Sequence, residues 1–272
     1  MTSANINCRV IDVDGAQLYA DVRSGTGPPL VFLHYWGGSR RTWQPVLARL
    51  HPHQAFVTYD QRGWGDSVNA RGPYDMERLA DDAQSDIATL RYTDYILVGH
   101  SMGGKVAQAL AARRPTGLAG VVLVAPAPAT PVGSTEELQQ LTMHAYDDEQ
   151  TVQQSIDRML TYQPLAAELR KKIVEDSLRA GEEARLAWPK YGLVHDVSAG
   201  LSDVDIPIPM LAGNQDRVEP LAVLADNLPP LMSHASVTVL EDTRHLSHLE
   251  VPDQVASHIT TFIAQLNELS GR

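Results

Sequence analysis

The segment with the clearest chemical content is Gly99-His100-Ser101-Met102-Gly103, with Gly104 after it. It follows an apolar run, Tyr95 to Val98, and precedes a helical pattern, Met102 to Arg114, that Pro115 ends. A serine on a sharp turn between a strand and a helix has its hydroxyl lifted clear of the sheet, free to attack a carbonyl. Such a turn needs small residues two before and two after the serine, because larger side chains collide with the adjoining strand and helix. The helix N-terminus places a positive dipole beneath an oxyanion forming at that point. The competing role is a glycine-rich packing turn, and the strand–turn–helix setting favours the nucleophile. A hydroxyl is a poor nucleophile until a base takes its proton. The chemistry therefore calls for a histidine, of which the chain has ten, and an acid to hold that histidine in one tautomer.

The elements that must position these groups are legible as short apolar runs bounded by turn residues: 30–33, 56–59, 95–98, 121–124, 210–212 and 237–240. They are continuous rather than alternating, as strands covered on both faces are. Residues 8–14 and 17–22 flank Asp14-Gly15 and read as a hairpin at an antiparallel edge. Helical spacing runs through Met76 to Leu90 and through Gln254 to Leu266. Alternating strands and helices predict a mainly parallel sheet with helices on both sides. Residues 130–205 break this rhythm and hold no good strand run. Ser134-Thr135-Glu136-Glu137 and Thr151-Val152-Gln153-Gln154 look like capping boxes, and Gly181 looks like the end of a helix starting near Pro164. Three or four short helices are expected there as a cap, hinged at the proline-rich stretches 125–128 and 206–209. The predicted division is a core of residues 1–129 and 206–272 and a cap of residues 130–205.

A chain of 272 residues with 43% apolar and 20% charged residues buries a large core without staples. The 22 Lys and Arg against 33 Asp and Glu give a net charge of −11. That balance argues against nucleic acid and anionic membrane as partners. The single cysteine, Cys8, excludes an intrachain disulfide. The first residues lack a basic start followed by an apolar run, and no apolar stretch approaches the roughly 20 residues of a membrane span. A soluble cytoplasmic protein with a small-molecule substrate is expected, and apolar patches on cap and edges leave room for a homodimer.

Taken together, the motifs resemble those of the α/β-hydrolase superfamily, over essentially the whole chain and in family order. Leu33-His34-Tyr35-Trp36-Gly37-Gly38 resembles the oxyanion loop after the third strand. Asp60-Gln61-Arg62-Gly63-Trp64-Gly65-Asp66-Ser67 resembles the D-x-R-G-x-G-x-S turn after the fourth. The elbow, an insertion, an acid segment and a histidine segment follow. The resemblance implies an α/β fold with a mostly parallel eight-stranded sheet, helices on both faces and a helical cap after strand 6. It implies Ser101 as nucleophile. His245 is the base on the resemblance of Arg244-His245 through Glu250-Val251-Pro252 to the family's G-H-x-x-x-x-E-x-P loop, with His248 as rival. Asp216 is the acid on the resemblance of Gly213 to Pro220 to G-x-x-D-x-x-x-P, with Glu219 as rival and a helix N-cap as its alternative job. Two backbone N–H groups, of Met102 and Trp36, are the expected oxyanion donors. Tyr35 and Arg244 stand where the family usually has glycine. Arg244 suits either a substrate carboxylate or an ion pair with Glu241 or Asp242.

His34, Tyr35 and His100 beside the elbow, and Met143, Tyr146 and Trp188 in the cap, are candidate substrate contacts; Met159, Tyr162 and Tyr191 join the cap aromatic and methionine set. Packing the cap on the core is their alternative job. No metal is expected, since the pairs His51/His53 and His245/His248 lack a third ligand, and no cofactor, since Gly63-Trp64-Gly65 lacks the third glycine of a dinucleotide turn. The resulting expectation is a serine hydrolase of the carboxylesterase type, cleaving a small ester or lactone through an acyl-enzyme. The same scaffold also serves carbon–carbon bond hydrolysis, perhydrolysis with halide oxidation, cofactor-free dioxygenation and ligand reception. Serine at the elbow disfavours haloalkane dehalogenases and epoxide hydrolases, which use aspartate there.

Overall fold

The computed structural model describes residues 6–133, 135–228 and 231–269. Eight strands form one sheet: β1 (Ile6–Val13), β2 (Ala16–Arg23), β3 (Thr26–Leu33), β4 (Gln54–Tyr59), β5 (Tyr95–His100), β6 (Leu118–Val124), β7 (Ile208–Gly213) and β8 (Ala235–Leu240). Their order across the sheet is β1-β2-β4-β3-β5-β6-β7-β8. The β1–β2 and β2–β4 pairs are antiparallel and all others parallel. The hairpin turns at Asp14-Gly15, where Gly15 takes the left-handed φ of 70° that glycine adopts without steric cost.

The continuous apolar runs have a plain cause. In β3, Leu30 and Phe32 enter one core while Val31 and Leu33 enter the other; in β5, Ile96 and Val98 part from Tyr95 and Leu97 in the same way. Both faces of the sheet are covered, so both sets of alternating positions must be apolar. Helices α1 (Gln44–Leu47) and α8 (Pro252–Leu269) pack on one face through Val46, Val255, Ile259 and Phe262. Helices α2 (Met76–Thr89) and α3 (Met102–Ala112) cover the other through Leu79, Ala83, Ile87, Val106 and Leu110. Asp75 caps α2 by accepting the Arg78 N–H at 2.8 Å.

Between β6 and β7 the described residues contain no strand. They form α4 (Glu136–Met143), α5 (Glu149–Ser155), α6 (Ala167–Leu178) and α7 (Glu182–Ala187), with π-helical turns at Ile156–Leu160 and Trp188–Gly192. Three local expectations differ in detail. The box on α5 is set by Asp148, which accepts the Thr151 N–H at 2.8 Å, so Thr151 is the third helical residue rather than the cap. Helix α6 ends at Leu178, and Gly181 is the cap of α7. The box expected at Ser134 falls on a residue outside those described. Among the described residues no helix is long and apolar enough to cross a membrane.

The turn after β4 is scaffold. Asp60 accepts the N–H groups of Arg40 (2.7 Å) and Asp66 (2.8 Å), and Arg62 holds Asp82 of α2 through two hydrogen bonds of 2.8 and 2.7 Å. Gln61 locks the loop after β3, its N–H donating to His34 Nε2 (3.0 Å) and its Nε2 to the His34 carbonyl (2.7 Å).

Candidate active site

The segments singled out in the sequence emerge at the C-terminal ends of β3, β5, β7 and β8. That end of β3 is where the sheet reverses its order, with β4 on one side and β5 on the other. A crevice opens at such a reversal, because the crossovers depart in opposite directions.

Ser101 sits at φ 52°, ψ −116°, a conformation costing a non-glycine residue about 1–3 kcal/mol. Its surroundings hold it there. Its N–H donates to the Val124 carbonyl (3.2 Å), and its carbonyl accepts from Lys105 (3.0 Å) and Ala127 (3.1 Å). A Cβ on Gly99 would lie 2.5 Å from the Gly103 carbonyl oxygen, and one on Gly103 would lie 2.6 Å from that of His34. Glycine at both places is the condition for strand, turn and helix to pack this closely.

Asp216 and His245 come from neighbouring loops after β7 and β8. Those loops are joined by the Gln215 N–H donating to the Thr243 carbonyl at 3.0 Å. His245 Nδ1 meets Asp216 Oδ2 at 2.9 Å, with both side chains buried. The other oxygen of Asp216 accepts the N–H groups of Val218 (2.8 Å) and Glu219 (3.0 Å). The capping job and the histidine contact thus coexist on one carboxylate. With Nδ1 committed to Asp216, Nε2 is the ring nitrogen left to take a proton. From behind, His100 Nε2 donates to the His245 carbonyl at 2.8 Å.

His248 has a different environment. It is fully buried, its ring centroid 4.3 Å from that of His100 and 5.0 Å from that of Trp43, and neither nitrogen has a hydrogen-bond partner among the described residues. Burial pushes it down to about 3. Burial also holds His100 well below the ordinary histidine range, so both stay neutral behind the site.

A cavity of about 440 Å³ is lined by Ser101 and His245 together with Tyr35, Trp36, Tyr146, Trp188 and Glu219; Met159, Leu160, Arg158 and Arg217 line it as well. The Trp36 and Tyr146 rings stack 4.2 Å apart at 27°, and the Tyr146 hydroxyl donates to the Trp36 carbonyl at 3.2 Å. The backbone N–H groups of Trp36 and Met102 donate to no other group among the described residues.

Three candidate contacts lie off the wall. His34 is buried beneath the loop, bonded to Gln61. His100 is buried behind His245. Met143 is half-buried and does not line the cavity, and its carbonyl accepts from Arg185 Nη1 at 3.4 Å. Tyr162 and Tyr191 are exposed. Arg244 pairs with neither Glu241 nor Asp242 and does not line the cavity: it bonds the carbonyls of Asp157 (3.1 Å) and Thr161 (2.7 Å), clamping the histidine loop to the helical insertion. Glu250 does the same, accepting the N–H groups of Arg244 (2.9 Å) and Gln163 (2.8 Å). Leu160, Arg158 and Arg217 escaped sequence reasoning, since nothing in their local pattern separates a cavity-facing residue from a surface one.

A sheet of this order with these loop-borne groups defines a class, and the comparisons agree. Residues 30–258 match the model of the alpha/beta hydrolase family, and the chain belongs to that family. Among curated relatives, it is 27% identical to a pimeloyl-[acyl-carrier protein] methyl ester esterase of Pseudoalteromonas atlantica, over 83% of this chain and 92% of that one. It is 25% identical to 3-oxoadipate enol-lactonase 2 of Acinetobacter baylyi (93% and 95% covered) and 25% identical to a non-heme haloperoxidase of Rhodococcus erythropolis (88% and 92% covered). Among solved structures, a bromoperoxidase of Bacillus anthracis superposes with a TM-score of 0.86 at 17% identity, covering 95% of this chain and 100% of that one; at this identity the likeness concerns the fold.

Proposed function

We propose that this protein is a serine hydrolase that cleaves a small carboxylic ester or lactone through an acyl-enzyme. The observation that carries the reading is the His245–Asp216 hydrogen bond of 2.9 Å on the wall of the cavity that also holds Ser101. The names of the esterase and enol-lactonase relatives point the same way.

In this reading Ser101 Oγ attacks the carbonyl carbon while His245 Nε2 takes its proton. Asp216 holds the ring in that tautomer and stabilises the imidazolium. The Trp36 and Met102 N–H groups receive the oxyanion. His245 then protonates the departing alkoxide, and afterwards takes a proton from the water that releases the acid. Residues 130–205 act as a cap that shapes the chamber and excludes water. Tyr35, in place of a glycine, makes part of the cavity wall.

The test is hydrolysis of p-nitrophenyl esters of two to eight carbons by the wild type and by Ser101→Ala. The expected result is a chain-length preference in the wild type and a loss of roughly 10⁴-fold or more in the variant, with its melting transition retained. Equal turnover by both proteins would exclude the serine mechanism. Folded wild type without ester turnover would shift the reading to the carbon–carbon, perhydrolytic, dioxygenase or receptor alternatives.

A further inference from the structure

Among the described residues, Glu219 is the one carboxyl group on the cavity wall. The residue is 4% exposed, yet it lines the chamber that holds Ser101 and His245. Its N–H is committed to Asp216 at 3.0 Å, which anchors the backbone; its carboxyl makes no hydrogen bond among the described residues. Two charged groups lie near. Asp216 is three residues back and already occupied with His245. Lys105 stands one helical turn after Ser101 on α3 and is fully buried. Its ammonium makes one weak hydrogen bond, to the Leu193 carbonyl at 3.4 Å, and no ion pair within 4 Å of Glu219.

Although the residue is buried, its carboxyl oxygens are not sealed in the core without a partner: they open to the chamber. Burial, with the Asp216 charge adding to it and Lys105 opposing, holds the Glu219 carboxyl well above the ordinary carboxylate range. A carboxyl held this way keeps its proton to higher pH than an ordinary carboxylate, and in that form it is a hydrogen-bond donor. A few polar groups on an otherwise apolar wall are what orient a ligand. The two neighbours restrict what the donor meets: Asp216 disfavours an anion at this point, and Lys105 disfavours a cation.

Building on the serine ester hydrolase reading, we propose that Glu219 is the polar anchor of a substrate subsite, donating a hydrogen bond to a neutral oxygen, oxo or ether, carried by the substrate beyond the ester carbonyl. A plain alkyl chain leaves this donor unmatched.

The experiment measures binding apart from turnover. In Ser101→Ala, the fluorescence of Trp36 and Trp188 on the cavity wall reports titration with ethyl 4-oxopentanoate and with ethyl pentanoate. The oxo ester is expected to bind roughly five- to tenfold tighter, the worth of one neutral hydrogen bond. Adding Glu219→Gln, which keeps a donor, preserves that ratio. Adding Glu219→Leu erases it, and Glu219→Ala replaces it should the leucine variant fail to melt cooperatively. A merely structural Glu219 moves both affinities together and leaves the ratio intact. A ratio near one in Ser101→Ala, a ratio that survives Glu219→Leu, loss in Glu219→Gln equal to that in Glu219→Leu, or binding of neither ester would overturn the subsite. A preserved ratio with no Ser101-dependent turnover of either ester would refute the hydrolase reading alone.

Discussion

The turns at the C-terminal sheet edge and the helical insertion between β6 and β7 are built by different means. The sheet-edge turns are held by backbone: Ser101 keeps a strained φ of 52° because its N–H and carbonyl are both bonded, and Asp216 is fixed by two N–H groups before it meets His245. The insertion is held mainly by side chains reaching across, beside backbone bonds from the Gly181 N–H to the Gly63 carbonyl (2.8 Å) and from the Leu246 N–H to the Leu160 carbonyl (2.9 Å). Trp36 Nε1 donates to the Arg185 carbonyl at 2.9 Å, Tyr146 stacks on Trp36, and Arg244 reaches the carbonyls of Asp157 and Thr161. A backbone-held turn keeps reacting groups within a fraction of an ångström, as bond rearrangement demands. A side-chain-held wall is easily re-lined, and so it suits selection among substrates.

That contrast predicts which kinetic constant each region controls. The largest effect belongs to the edge: Asp216→Asn still accepts the Val218 and Glu219 N–H groups and so keeps the fold, but it favours the wrong histidine tautomer. Ester hydrolysis should fall by about 10⁴-fold in kcat with the melting transition retained. A loss below tenfold would break the contrast at its strongest point. His245→Asn should match that loss. His248→Asn should cost less than tenfold, since the His248 ring has no acid partner.

A pH titration sharpens the same distinction. The neutral, buried His248 and His100 have folded values below the ordinary range, whereas the unfolded chain takes up protons near pH 6.5. The unfolded state therefore binds more protons, and stability rises with pH through this window and is fully present above about 6.5. Each such group contributes up to about 1.4 kcal/mol per pH unit. Denaturant midpoints should drop between pH 6.5 and 5, with a shallower slope in His248→Asn; parallel slopes would refute the assignment to His248.

Effects in the insertion should be smaller and of another kind. Tyr146→Ala removes the stack on Trp36 and opens the chamber, so KM for short esters should rise several-fold with kcat changed less. A kcat collapse instead would place Tyr146 among the groups that position the reaction. Arg244→Gln severs two hydrogen bonds from a cation to carbonyls and should cost about 1–3 kcal/mol in urea unfolding, with KM shifted more than kcat. No change in either would show that Glu250 and the Leu246–Leu160 backbone bond secure the loop without it.

Residue type and spacing by themselves determined the sheet, the strand-to-helix turn at Ser101, and which loop carries each group of the proposed triad. The reason is that local steric demands write themselves into short motifs. Two covered sheet faces require unbroken apolar runs, and a strand-to-helix turn this tight requires Gly99 and Gly103. Only the tertiary structure decided among groups that share a local pattern. His245 and His248 stand three residues apart, and what separates them is Asp216, brought in from another loop. Glu219 reads as a possible triad acid in sequence, whereas in the fold it faces the chamber beside Lys105. His34 and His100 adjoin the site in sequence yet are turned inward, bonded to Gln61 and to the His245 carbonyl. Leu160 and Arg158 reach the cavity only because the insertion folds back over the sheet edge, where Arg217, on the loop after β7, donates to the Arg158 carbonyl at 3.0 Å. Contacts of this kind are set by packing between segments far apart in the chain, and no local residue pattern carries that information.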